Sequence, residues 1–291
     1  MVEFFLKYLQ FEKRLSAHTV LAYQNDLSQF SDYLMQCYEL SEVELATHPM
    51  IRSWIAQLAE LHLDPRSINR KIATLRSFFK FLQVQESITT NPMQKIKALK
   101  TDKPLPAFVR EKDMKAIFQQ PVKATFTGWR DRLVMEFFYA TGIRLSELIF
   151  LQEKNINLSQ RTIKVLGKRN KERVVPFTQN LAQVIKTYLE FRNREITRHD
   201  HGLLLVTETG APCYPMLLYR IVNQHLKLTA TERKSPHILR HTYATHLLDK
   251  GAEINAVKDL LGHSSLAATQ VYTHNSMEKL KKVFEQAHPK A

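Results

Sequence analysis

The chain has 291 residues, of which 44% are hydrophobic and 24% charged. That composition supports a packed core and excludes a disordered chain. The formal charge of +14, from 42 Lys/Arg against 28 Asp/Glu, calls for a polyanionic partner: nucleic acid first, an acidic membrane second.

The charge is not spread evenly. Residues 1–51 hold 3 Lys/Arg against 7 Asp/Glu, residues 52–100 hold 9 against 3, and residues 101–291 hold 30 against 18. The first fifty residues therefore stand outside the positive field. The two cysteines, Cys37 and Cys213, form no Cys-x-x-Cys pair, which argues against a zinc ribbon and for a reducing compartment. The first residues, MVEFFLKYLQFEKRL, are too charged for a secretory signal, and no apolar run is long enough to span a bilayer. The expectation is a cytoplasmic protein with no membrane association.

Residues 3–37 carry helical periodicity with a break near Ser16. Phe4, Phe5, Tyr8 and Leu9 make one stripe. Val20, Tyr23, Leu27, Phe30, Tyr33 and Leu34 make another, capped by Ser16, with Asp26 and Asp32 expected on its outer face. A third helix is expected over 49–61. A fourth starts at Asp64-Pro65-Arg66-Ser67 and runs to about Val84. Its apolar set is Ile68, Ile72, Leu75, Phe78, Phe79 and Leu82, with Arg70, Lys71 and Arg76 mostly off that stripe. Residues 95–107, KIKALKTDKPLPA, lose the periodicity and read as a linker.

Helices follow over 111–119 and 128–141. Residues 161–166 and 172–177 alternate and are rich in β-branched types, and Gly167-Lys168-Arg169-Asn170-Lys171 between them is a hairpin turn. Further helices are expected over 181–192, 215–226, 236–249, 254–261 and 276–287. The fold class is mainly α with a small antiparallel β-sheet. The expected division is an N-terminal helical domain over 1–97, a linker over 98–107, and an α+β domain over 108–291.

Residues 237–246, HILRHTYATH, concentrate three histidines and an arginine in one helix. Ser235 and Pro236 place its start. With about 100° per residue, Arg240 lies at about −60° from His237, His241 at about +40° and His246 at about 180°. A zinc site using all three is excluded by that geometry. His237 and His241 keep the i, i+4 spacing of a metalloprotease pair but lack its glutamate base. No metal is expected. The better reading is a cationic edge of His237 and Arg240 that holds an oxyanion, phosphate above all, against the bland alternative of ordinary carboxylate pairing.

Four further features fall into order with this edge. Arg144 sits in T-G-x-R-x-S-E, Lys168 in G-K-x-N-K-x-R, His263 in L-G-H and Tyr272 in x-Y-T-H, on either side of His237-x-x-Arg240. The set resembles the tyrosine recombinase (phage integrase) family. The stretch LRHTYATHLLDKGAEINAVKDLLGHSSLAATQVYTH is especially similar to the Xer site-specific recombinases. The resemblance runs from the first helices to the C-terminus.

The resemblance implies a SAM-like N-terminal domain that binds core DNA, and a catalytic domain ending in an exchange helix. It implies that Tyr272 attacks a DNA phosphodiester, that Arg144 and Arg240 neutralise the phosphate, and that His263 adds a hydrogen bond. Lys168 would protonate the departing 5′-oxygen, and His237 would accept the nucleophile's proton or orient it. Glu147 reads as structural, and His241 and His274 as supporting. Arg70, Lys71 and Arg76 would face the duplex. Arg169 stands where the Xer pattern has glycine, so it adopts a costly backbone conformation or reaches DNA. No cofactor is implied.

The implied partners are double-stranded recombination sites and a homo- or hetero-tetramer on two of them, with a second recombinase and a DNA translocase as further candidates. The tail face of Met277, Leu280, Val283, Phe284 and Ala287 would dock into a neighbour, or else on its own core. Chromosome or plasmid dimer resolution is the leading role. Integration or excision of a mobile element is the alternative, and a catalytically silent DNA-binding protein is a reading from another class.

Overall fold

The computed structural model describes residues 1–101, 107–167, 172–197, 201–262 and 283–290. The chain forms two units, residues 1–104 and 105–291, each with its own core.

The first unit is helical. α1 (Val2–Lys7) runs through a π-helical turn, Tyr8–Glu12, towards α2 (Ala17–Tyr38), followed by α3 (His48–Glu60) and α4 (Pro65–Val84). Ser16 caps α2 as expected, its Oγ accepting from the Thr19 amide. Asp64 caps α4 by accepting from the Arg66 amide, and Pro65 takes the first helical position, where its missing N–H has no consequence. Phe5, Phe30, Trp54 and Phe78 fill the centre; Phe5 meets Phe78 edge-on at 5.3 Å, and Phe30 meets Trp54 at 4.8 Å.

Three expectations are corrected here. Asp26 is not on the outer face of α2 but buried at 1% exposure. It lies one turn before Phe30 and accepts from Arg70, from Lys71 Nζ at 3.1 Å and from Thr74 Oγ1 at 2.8 Å. A buried carboxylate persists only with such partners. Lys71 is likewise buried rather than presented at the surface, held by Asp26 and Gln29 with the Trp54 ring 5.8 Å away. The chain from residue 95 is not a free linker from its start. Met93 and Ile96 are buried, Arg76 Nη2 donates to the Ile96 carbonyl at 2.9 Å, and the Asn69 amide bonds both the N–H and the C=O of Leu99. Arg70 remains exposed beside its Asp26 contact.

The second unit begins with α5 (Glu111–Gln119) and α6 (Phe126–Thr141). α6 starts two residues earlier than its periodicity indicates because Thr125 caps it. From Leu133 to Thr141 every residue of α6 is buried, so it forms the axis of the unit. The short α7 (Leu145–Ile149) precedes a three-stranded antiparallel sheet in the order β1 (Ile156–Asn157), β2 (Thr162–Leu166), β3 (Glu172–Pro176). In its register Ile163 faces Val175 and Val165 faces Arg173. β1 is too short for alternation to reveal it.

α8 (Gln179–Glu195) is longer at both ends than expected, capped by Thr178. α9 (Pro215–Leu226), α10 (Pro236–Asp249) and α11 (Ile254–Leu261) fall where the periodicity placed them. Ser235 stands at the start of α10 but makes no side-chain capping bond.

The final segment is helical over 283–287 and rests on its own chain. Phe284 and Ala287 are buried among Tyr243, Leu247, Leu260 and Leu261. The His288 ring bonds the Tyr139 carbonyl at 3.2 Å, and Lys290 Nζ bonds Glu136 at 2.7 Å. An exchange onto a neighbour is thus not the arrangement adopted by the single chain. An apolar face takes the nearest cover, and α10 and α11 provide it.

Candidate active site

Arg144 and Arg240, ninety-six positions apart, meet at the C-terminal ends of two helices. α6 ends at Gly142 and α11 at Gly262, both in the left-handed region with φ of 58° and 62°. Glycine adopts this without the Cβ penalty, and it leaves the last helical carbonyls without intrahelical partners. Gly142 is also required by space, since a Cβ there would lie 2.5 Å from Tyr243 Cδ1.

The orphan carbonyls are taken by arginines. Arg240 donates from Nη1 to the Gly142 carbonyl and from Nη2 to the Leu261 carbonyl, both at 2.5 Å. Arg144 donates from Nη2 to the Gly262 carbonyl at 2.9 Å and from Nη1 to Glu147 Oε1 at 2.8 Å. A third arginine joins them. Arg173 donates from Nε to the Leu260 carbonyl at 3.1 Å and forks onto Glu147 at 2.6 and 2.8 Å. Three consecutive carbonyls, of Leu260, Leu261 and Gly262, thus accept from three different arginines. The negative end of a helix dipole faces each guanidinium.

Among the described residues, one carboxylate, Glu147, stands with the three guanidiniums. Burial pushes the Glu147 carboxyl up, but the hydrogen bonds and charge of Arg173, reinforced by Arg144, outweigh it and hold the group down at about 2. Glu147 also accepts from the Arg144 backbone N–H at 2.8 Å. It fixes both the start of α7 and the direction of the Arg144 side chain. Arg240 is 8% exposed. Burial, then the charges of Arg144 and Arg173, bring its guanidinium down to about 10. It stays ionised at neutral pH but is poorly compensated. An excess of unneutralised positive charge at carbonyl-anchored forks is an anion site. Arg144 and Arg240 each spend two of their five N–H donors on the bonds described, and Arg173 spends three, which orients the remainder.

His237 is exposed on the first turn of α10, one turn before Arg240. His241 is also exposed. His246, on the opposite side of the helix, is buried and its Nδ1 pairs with the Tyr139 hydroxyl at 3.1 Å. Burial lowers its pKa, so it is a neutral core histidine. Lys168, Arg169, His263, Tyr272 and His274 lie outside the described residues. The chain places Lys168 two residues beyond the end of β2, and His263 directly after Gly262.

Sequence reasoning missed Arg173. Its signal was present: in ERVVPF it shares a strand face with Val175, so an ionisable group stands at a core-facing position. Among the described residues no group of three metal-ligating side chains comes together, and no helix is long and apolar enough to cross a membrane.

Residues 107–279 match the phage integrase family, and residues 2–86 match the phage integrase N-terminal SAM-like domain. Tyrosine recombinase XerC of Staphylococcus haemolyticus is 42% identical over 289 residues, covering 99% of this chain and 96% of that protein. Tyrosine recombinase XerD of Staphylococcus saprophyticus is 34% identical over 293 residues, covering 100% and 99%. Among solved structures, a XerH site-specific recombinase bound to a palindromic difH substrate in a post-cleavage complex shares the fold with a TM-score of 0.73 at 20% identity, covering 97% of this chain and 83% of that one. The Tn1549 transposon integrase in complex with transposon right end DNA has a TM-score of 0.72 at 18% identity, covering 96% and 99%.

The chain belongs to the phage integrase family of tyrosine recombinases. It is a site-specific recombination enzyme of the Xer type.

Proposed function

We propose that this enzyme cuts and rejoins double-stranded DNA through a 3′-phosphotyrosyl intermediate made by Tyr272, and that its role is the resolution of chromosome or plasmid dimers. The observation that carries the reading is the convergence of Arg144 and Arg240 on adjacent carbonyls, Leu261 and Gly262, with their charge only partly matched by Glu147. A phosphodiester is the anion that fits two forked cations, and the pentacoordinate transition state carries more charge than the ground state. Full-length similarity to relatives named XerC and XerD supports the dimer-resolving role.

The phenolic oxygen of Tyr272 attacks the phosphorus, and its proton passes to a base for which His237 is the candidate. The bond from phosphorus to the 5′-oxygen breaks, and that oxygen takes a proton from Lys168. Arg144, Arg240 and His263 hold the non-bridging oxygens throughout. Rejoining is the reverse, with a 5′-hydroxyl of the partner strand attacking the phosphotyrosine. The ester retains the bond energy, so nucleotide hydrolysis has no place in the chemistry. Arg70, Arg76 and Arg169 are assigned to the DNA backbone. Lys71 is assigned instead to the core of the first unit. Four copies, of this chain alone or with a second recombinase, would assemble on two sites in the cytoplasm.

The test is a duplex with a nick beside the cleavage position, so that the short strand diffuses away and the adduct is trapped. Wild type forms a covalent protein–DNA adduct in the presence of EDTA and without nucleotide. Tyr272→Phe binds the same DNA and forms none. Loss of cleavage on adding EDTA would overturn the mechanism.

A further inference from the structure

The three arginines at the end of α11 do not have equal access to a ligand. Arg144 and Arg240 are the pair assigned to phosphate, whereas Arg173 is 5% exposed, lies on the core side of β3, and spends its described bonds on Glu147 and the Leu260 carbonyl. Resting on the assignment of Arg144 and Arg240 to phosphate, we propose that Arg173 is a positioning residue for strand cleavage: it clamps Glu147 and the end of α11 together so that both phosphate-binding arginines are aimed at one point.

Three connections support this. The Arg173 fork holds both Glu147 oxygens, and each of those oxygens also bonds Arg144, one to the guanidinium and one to the backbone N–H. Glu147 therefore transmits Arg173's position to Arg144. Arg173 Nε holds the Leu260 carbonyl, the immediate neighbour of the Leu261 carbonyl that anchors Arg240. The same contact fixes the chain two residues before Gly262 and three before the histidine assigned to the phosphate; a Cβ at Gly262 would lie 3.0 Å from Arg173 Cδ, so the side chain packs directly on that turn. Finally, Arg173 pairs across the sheet with Val165 at the base of the hairpin that carries Lys168. One planar fork thus ties β3 to α7, which carries Glu147 next to Arg144, and to the end of α11, whose carbonyls anchor Arg144 and Arg240. Lysine cannot replace it, since a point ammonium does not form two parallel bonds to a carboxylate while also reaching a carbonyl.

Arg173→Gln, Arg173→Lys, Glu147→Gln and the double variant Glu147→Gln/Arg173→Gln would be made in the full chain. The probe is a nicked duplex carrying the terminus-region recombination site of the host chromosome, and adduct formation is timed from pH 5 to 9. At pH 8 Arg173→Gln is expected to cleave at least a hundredfold more slowly than wild type, with DNA affinity changed by less than threefold. Its rate falls a further tenfold or more towards pH 5, relative to wild type, because Glu147 now takes up a proton. Arg173→Lys recovers the acid side but not the full rate. In the double variant the added acid dependence vanishes, and the loss is smaller than the product of the two single losses.

A DNA-independent arm follows the side-chain carboxyl carbon of Glu147 by NMR, identified by its absence in Glu147→Gln. Its titration moves from below pH 3 in wild type to above pH 4 in Arg173→Gln. Failure of wild type to form any adduct would refute the recombinase reading but leave this arm decisive for the clamp. Wild-type cleavage with unchanged rate and pH profile in Arg173→Gln, or an unmoved Glu147 titration, would overturn the proposal. If Arg173→Gln does not fold, Arg173→Lys carries the rate measurement, and a wild-type rate in it is the overturning result.

Discussion

Replacing Arg240 with glutamine should separate the stability of the fold from its chemistry. In the free protein the guanidinium donates two short bonds to the Gly142 and Leu261 carbonyls. Bonds of this kind contribute about 1–2 kcal/mol each, so their loss costs about 3 kcal/mol. Against this stands the burden of the charge. Burial and the neighbouring Arg144 and Arg173 bring the group down to about 10, which corresponds to about 3 kcal/mol of disfavour for the charged form in the folded protein. The two terms nearly cancel. Arg240→Gln should therefore unfold in urea within about 1 kcal/mol of wild type, although a buried arginine has been lost. Cleavage of the nicked duplex should nevertheless fall by about a thousandfold or more, because a charged donor pair at the developing oxyanion is gone. Sulfate should raise the melting temperature of wild type more than that of the variant, since only wild type keeps the full anion site. A variant destabilised by 3 kcal/mol or more, with an unaltered response to sulfate, would show that Arg240 is a strut between two helix ends and would refute the reasoning.

Gly142→Ala forces an alanine into a left-handed position and against the Tyr243 ring 2.5 Å away; a loss of about 2–4 kcal/mol is expected in urea unfolding. Asp26→Asn leaves the buried Lys71 ammonium without its carboxylate and should cost about 3–5 kcal/mol, read as a lower melting temperature. The docked tail should be sensitive to acid. Burial lowers His288 to about 4, although its bond to the Tyr139 carbonyl works the other way and the nearby Lys290, His246 and Lys250 add to the lowering. The docked state therefore disfavours the proton, and docking weakens as pH falls from about 6.5 towards 4, by up to about 3 kcal/mol. Amide exchange over 283–290 should accelerate across that range, and should not do so in His288→Phe.

Much of the helical framework was legible from residue order. Ser16 and the Asp64–Pro65 pair announce helix starts, and Gly142 and Gly262 mark where α6 and α11 stop. The spacing of Ile68, Ile72, Leu75 and Phe79 shows the inner face of α4. Arg144, His237 and Arg240 stand out as residue types that chemistry needs, and two of them do meet. Harder to read were charges that face inward. Asp26 and Lys71 look like surface residues because each alone would be. They are buried because each is the other's partner across two helices, and no local pattern encodes a pairing over forty-five positions. Arg173 was obscured for the same reason: its partners lie on α7 and α11.

The tail shows the same division from another side. Its apolar face was evident in Val283, Phe284 and Ala287, but amphipathicity states only that a face will be covered. In the folded chain the cover is the patch of Tyr243, Leu247 and Leu261. Sequence alone determined most of the helices, the caps at Ser16 and Asp64 and the chemical inventory of the site, because these depend on neighbours within a few residues. Tertiary structure decided which charges are matched, which carbonyls anchor the arginines and where the tail rests. Those outcomes depend on electrostatics and burial between segments up to a hundred and fifty residues apart, and they exist only once the chain has closed around them.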